Sequence, residues 1–145
     1  MIGKLWVLYD ADCGFCTRAA RWLLSQRRHV RLEVLPQDSP AVAEAFPGLR
    51  PRAKAELTVI DDEGGVYHGA DAWLMSLWAL VEYRAWAARL AAPALRPLAR
   101  EAFAVVSVNR LFLSRALGLQ SDAAAAEAIR AAAERGCEEG GCRTR

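Results

Sequence analysis

LYDADCGFC, residues 8–16, closes an apolar run and sets Cys13 and Cys16 two residues apart, with Asp10 and Asp12 just before the first cysteine. Upstream, KLWVLY (residues 4–9) is a short apolar run bounded by Gly3 and Asp10. It reads as a strand buried on both faces and as the first, central strand of a sheet. Downstream, Phe15, Ala19, Trp22 and Leu23 recur at i, i+4, i+7 and i+8, whereas Arg18, Arg21, Ser25 and Arg28 fall mostly off that stripe. An amphipathic helix ending near His29 is predicted. The cysteines therefore sit at a strand-to-helix junction.

VRLEVLP (residues 30–36) alternates Val30, Leu32 and Val34 with Arg31 and Glu33 and stops at Pro36, which predicts a second strand. Strand, helix, strand makes a βαβ unit with parallel strands and a right-handed crossover. SPAVAEAF predicts a short helix with Ser39 as N-cap and Pro40 at its first position. ELTVIDDEGGVYHG predicts a hairpin around a Gly-Gly turn. ADAWLMSLWALVEY then reads as one helix with Leu74, Leu77, Trp78 and Val81 along a face. From Ala85 to Leu119 the chain reads as helical, broken at Pro93 and Pro97, and LQSDAAAAEAIRAAAERG as a last helix capped by Ser121. The element order βαβαββα with additional C-terminal helices is that of an α/β, thioredoxin-like mixed sheet. Residues 1–119 are expected to form this domain, and residues 120–145 an alanine-rich helix and a mobile tail.

A chain of 145 residues can bury a single core without disulfides or metal. Its 54% hydrophobic and 25% charged residues are those of a soluble globular protein, and a net charge of +2 is too small to favour nucleic acid. Most of the arginines read as solvated helix faces, as in RAARWLLSQRR. The N-terminus has the features of neither a signal nor a transit peptide, so a cytoplasmic location is expected. No transmembrane segment is expected, because Glu82, Arg84 and Arg89 interrupt the longest apolar region; Trp73, Trp78 and Trp86 are candidates for a peripheral membrane contact. Trp6, Trp22 and Trp78 fall on predicted core positions. In a reducing compartment four cysteines point to redox or metal chemistry rather than a framework.

Spacing i, i+3 in the first helical turn puts Cys13 and Cys16 on one face, roughly 5–6 Å apart at Cβ, within reach of a disulfide. Unpaired N–H groups and the dipole at the helix N-terminus favour a thiolate on Cys13, making it the nucleophile; Cys16 is then the resolving thiol. The junction context makes this CxxC a thioredoxin-like redox motif.

LYDADCGFC followed by a basic amphipathic helix resembles the DCC family of thiol-disulfide oxidoreductases, whose D-x-x-C-x-x-C pattern is matched by Asp10, Cys13 and Cys16. The likeness continues in TVIDDEGGVYHGADAW, with Gly69 and Ala72 on a G-x-x-A segment, and in VNRLF, residues 108–112. Ala11 departs from the glycine usual after the aspartate. The resemblance implies thiol-disulfide exchange on a thiol or disulfide substrate, with a cellular dithiol or glutathione as electron donor and no cofactor beyond the Cys13–Cys16 disulfide. Thioredoxin-like folds carry a cis-proline beside the redox pair, but AKAELTV places Ala55 and Glu56 there. The usual backbone clamp for a peptide is thus not expected. Asp12, Phe15, Ala55, Glu56 and Gly69 are expected to line the site.

A carboxylate about 6 Å from a thiolate repels it by roughly 2–3 kcal/mol at an effective dielectric near 20. The helix N-terminus returns about 0.3–2 kcal/mol, so near-cancellation and a couple of modest potential are predicted. Asp10 reads either as a proton acceptor for Cys16 or as a turn residue satisfying backbone N–H groups. Cys137 and Cys142 in CEEGGC read as a secondary redox pair or as an idle tail. Two other functions stand beside exchange: a zinc or iron–sulfur site built from all four thiolates, and a redox-inactive binding module on the same scaffold. No metal is expected, since the two cysteine pairs lie at opposite ends of the chain. His29 and His68 have no partner that the sequence identifies, and His68 reads as a surface-strand residue.

Overall fold

A computed structural model describes residues 1–49 and 56–117. The chain runs β1 (Lys4–Tyr9), α1 (Gly14–Ser25), β2 (Arg31–Pro36), α2 (Pro40–Ala45), β3 (Thr58–Asp61), β4 (Val66–His68), α3 (Gly69–Trp78), α4 (Arg84–Leu90) and α5 (Arg96–Ala116). The expected order βαβαββα is present, followed by two further helices. The sheet order is β2-β1-β3-β4, with β1 parallel to β2 (Val7 beside Val34) and antiparallel to β3 (Val7 beside Val59). This mixed α/β architecture is a thioredoxin-like fold.

β1 is central, as its composition requires. Leu5, Val7 and Tyr9 point to one face and meet Val34, Val59, Leu23 and Leu80; Leu8 points to the other and meets Leu35, Val42 and Ile60. Burial on both faces is complete only at the C-terminal half, Val7 to Tyr9, where the strand delivers the chain to the CxxC turn. Ser39 caps α2 by accepting the Val42 N–H, with Pro40 at the first position. The β3–β4 hairpin turns on Gly64 at φ 92, and the buried Asp61 carboxylate ties it together by accepting the N–H groups of Glu63 and Gly65 and the Tyr67 hydroxyl.

Tertiary contacts move several helix ends. α1 stops at Ser25 rather than near His29, because the next residues pair with the segment after α3: His29 N–H donates to the Ala79 carbonyl and Val81 N–H to the Arg27 carbonyl. The same pairing ends α3 at Trp78, splitting the single helix expected over residues 70–83. Ala72, Leu74, Ser76, Ala79 and Leu80 are buried, while Leu77, Trp78 and Val81 are half-buried. The buried stripe of α1 is Gly14, Thr17, Ala20 and Leu23, small residues that admit close packing. Trp22 is consequently 37% exposed and meets Tyr83 edge-on, a correction to its expected core position. Trp6 and Trp78 are half-buried, each under a cation, Lys4 and Arg84 respectively. Pro97 does not break a helix; it occupies the first turn of α5, where its missing N–H has no partner to lose. Of the tryptophans considered for a membrane contact, Trp86 is exposed and Trp73 stacks on Phe103. Among the described residues no helix is long and apolar enough to cross a membrane. The expected last helix falls outside the described residues.

Candidate redox site

β1 ends at Tyr9 and the chain turns through Asp10–Asp12 into α1. The turn is closed by the Cys13 N–H donating to the Asp10 carbonyl and the Asp12 N–H to Asp10 Oδ1. Ala11 makes this turn without left-handed backbone, since no non-glycine residue among those described has a positive φ. Cys13 is the N-cap of α1, and its sulfur stands where a serine or aspartate oxygen ordinarily does, accepting the Cys16 N–H at 3.3 Å. The expected helix-terminus environment for Cys13 is therefore realised by a direct hydrogen bond.

α5 completes the site from a hundred residues away. Arg110, 8% exposed, donates from Nη1 to Asp10 Oδ2 at 2.5 Å and reaches Cys16 Sγ at 3.7 Å. One turn on, Ser114 Oγ accepts the Phe15 N–H at 3.0 Å and lies 3.9 Å from Cys13 Sγ. Residues 110 and 114 share a helix face by i, i+4 spacing, so a single face of α5 supplies a cation to one sulfur and a hydroxyl to the other.

The Cys13 thiol is pulled from its ordinary 9.0 to about 5. The Cys16 thiol, which donates to its sulfur, is the largest cause; burial opposes, and the Cys16 N–H, Ser114 and Arg110 add to the lowering. Cys16 is pushed well above the ordinary thiol range, because its proton is held by Cys13, because it is partly buried and because Cys13 is negative; Arg110 acts in the opposite direction. Burial works against the Arg110 cation, but Asp10 and the Cys16 sulfur outweigh it. The predicted near-cancellation at Cys13 left out the Cys16 thiol, the largest cause, and with it Ser114 and Arg110. Asp10 is not a free charge facing the thiolate but half of a buried ion pair, with side chains 10% and 9% exposed.

A family model for DCC1-like thiol-disulfide oxidoreductases matches residues 7–116, spanning the CxxC junction and nearly all of α5. The chain belongs to this family. Neither curated proteins nor solved structures give a match.

In this DCC1-like protein the other expected site residues gather unevenly. Phe15 and Glu56 are half-buried and line a narrow cleft that reaches Cys16, Asp10 and Arg110. Asp12 lies on the exposed side of the turn. Gly69 adopts φ 55 at the start of α3 and donates its N–H to the Leu57 carbonyl, a left-handed conformation that accounts for glycine there; Ala72 is fully buried. His68 is half-buried, and its Nδ1 is 3.2 Å from Thr58 Oγ1, a correction to the surface-strand expectation. Ala55, Cys137 and Cys142 lie outside the described residues, and so does the part of the four-thiolate alternative that rests on the last two. No peptide bond among the described residues is cis.

Two site residues, Arg110 and Ser114, escaped the sequence reading. A signal existed: Ala99, Phe103, Val106, Arg110 and Ser114 lie at i, i+4, i+7, i+11 and i+15, so an arginine falls in register with an inward stripe. Reading most of the arginines as solvated helix faces concealed it.

Proposed function

We propose that the protein is a thiol-disulfide oxidoreductase that cycles Cys13 and Cys16 between dithiol and disulfide. The observation that carries this is the contrast between two sulfurs one helical turn apart. Cys13 accepts hydrogen bonds that favour its thiolate, while Cys16 keeps its proton next to the Arg110 cation. Cys13 is accordingly the nucleophile of the pair, and it closes the internal disulfide by attacking the Cys16 sulfur of a Cys16–substrate disulfide, the substrate sulfur leaving as a thiolate. The order read from the sequence has Cys13 attack an external disulfide first and Cys16 resolve it. That order needs the last turn of α5 to uncover Cys13, which is 0% exposed. Arg110 supports the charge on the Cys16 sulfur whenever that sulfur is expelled. A reducing compartment, the cytoplasm, fits this dithiol chemistry.

Thiol trapping of the protein equilibrated in glutathione buffers tests the proposal. A single two-electron transition, lost in Cys13→Ser and in Cys16→Ser, is expected. A protein whose two thiols stay free under the most oxidising buffer is not an oxidoreductase of this kind.

A further inference from the structure

Access to the two sulfurs runs opposite to the order expected for a CxxC site. Cys13 is fully covered, with the Ser114 hydroxyl over its sulfur, whereas Cys16 is half-buried and opens into the narrow cleft between α1, α5 and the start of β3. We propose, building on the exchange reading above, that Cys16 is the sulfur that meets substrate, and that the cleft delivers a small, uncharged thiol to it.

The cleft wall argues for the substrate class. Phe15, Leu57, Trp73 and Val106 make it apolar. Among the described residues its charged groups are the Asp10–Arg110 pair, which neutralise each other, and Glu56, which gives this lining a surplus negative charge. A thiol that carries a further anionic group therefore meets repulsion that no unpaired cation among the described lining residues answers. An extended peptide fares no better, because strand-like docking needs free backbone groups beside the CxxC. The Glu56 carbonyl is taken by Gln37 Nε2 at 2.6 Å and the Leu57 carbonyl by the Gly69 N–H at 3.0 Å.

The chemistry runs in the same direction as the access. An external thiol gives its proton to water, and the thiolate attacks Cys16 Sγ of the oxidised pair. The Cys13–Cys16 bond breaks, an R–S–S–Cys16 bond forms, and Cys13 departs with the electron pair as a thiolate. The substrate sulfur is oxidised and the Cys13 sulfur reduced. A disulfide is cleaved faster when the departing sulfur is stabilised as a thiolate, and Cys13 departs onto the Cys16 N–H at the helix cap with the Ser114 hydroxyl 3.9 Å away. Attack at Cys13 would instead have to reach a fully buried sulfur covered by the Ser114 hydroxyl. In reverse, the Cys13 thiolate attacks the Cys16 sulfur of the mixed disulfide and releases R–S⁻, so Cys13 keeps its role as nucleophile within the pair.

The test uses the oxidised full chain, mixed with 1-propanethiol or with 3-mercaptopropionate at equal thiolate concentration, quenched in acid, alkylated and mapped by peptide mass. The expected adduct is on Cys16 with Cys13 alkylated, and propanethiol is expected to react at least tenfold faster than its carboxylated analogue. Val106→Lys, which adds a cation to the cleft wall, should narrow that ratio at least threefold. An adduct on Cys13, or equal rates for the two thiols, overturns the inference while leaving thiol-disulfide exchange intact. Failure to obtain any Cys13–Cys16 disulfide overturns both.

Discussion

The first turn of α1 and the last two turns of α5 contribute to the same few ångströms of the molecule in different ways. The α1 junction brings two sulfurs, placed by four consecutive residues and a helix cap. α5 brings Arg110 and Ser114, held over those sulfurs only by packing against α1 and α3. The first region fixes which atoms can react. The second covers Cys13 and adds a cation and a hydroxyl to the hydrogen bonds the motif makes within itself, so the reactivity of the CxxC is set by the two regions together.

The sharpest way to break that division is Arg110→Ala. It leaves Asp10 charged, buried and unpaired, and a loss of about 3–5 kcal/mol in urea unfolding is expected. Arg110→Met with Asp10→Asn removes both charges and should recover most of that loss. If Arg110→Ala alone is neutral, the ion pair is not structurally coupled to the site.

Next in size is the acidity of Cys13. Its folded value, about 5, is depressed below the ordinary 9.0, so the unfolded chain binds more protons between those limits. Stability of the reduced protein from this group is fully present above pH 9, declines by at most about 1.4 kcal/mol per pH unit as pH falls, and is gone below pH 5. Thiolate absorbance should titrate with a midpoint near 5 and follow this loss; a midpoint near 8 would show that the hydrogen bonds and charges around Cys13 do not stabilise its thiolate. The same lowering stabilises the reduced form at neutral pH, so the couple should be more oxidising than an unperturbed dithiol. Near-cancellation of the aspartates by the helix N-terminus would instead give a modest potential, and redox equilibration with glutathione separates the two.

Ser114→Ala should produce a smaller change, about 1 kcal/mol, since Phe15 N–H loses its acceptor at a helix terminus. The Cys13 midpoint should move upward, and its alkylation at pH 8 should quicken as the cover over the sulfur thins. Slower alkylation there would mean that the hydroxyl activates Cys13 more than it shields it. Least of all, Arg27→Ala breaks an ion pair whose side chains are 76% and 58% exposed, remote from both regions. Unfolding should shift by no more than about 0.5 kcal/mol.

How much was legible follows the same line. The strands, the α2 cap and the hairpin rest on local chemistry: alternation, Ser39 before Pro40, and Gly64–Gly65 behind an acidic turn. The ends of α1 and α3 did not, because His29 and Val81 exchange backbone bonds across the fold. Trp22 was misread because the side of α1 that packs is chosen by the small residues Gly14, Thr17 and Ala20, a choice made jointly with the sheet and α5. The pattern VNRLF was recognised as part of a likeness, yet nothing in it says that Arg110 turns inward.

By itself the sequence determined the order of elements and the place of Cys13 and Cys16 at a helix N-terminus, and thereby the kind of chemistry proposed, because helix capping and hydrophobic periodicity act over a few residues. Only the tertiary structure decided that Asp10 is neutralised, that Cys13 is sealed under Ser114 and that Cys16 faces the cleft. Coulomb energy and burial depend on distance through space, and the residues that set them stand about a hundred positions away along the chain.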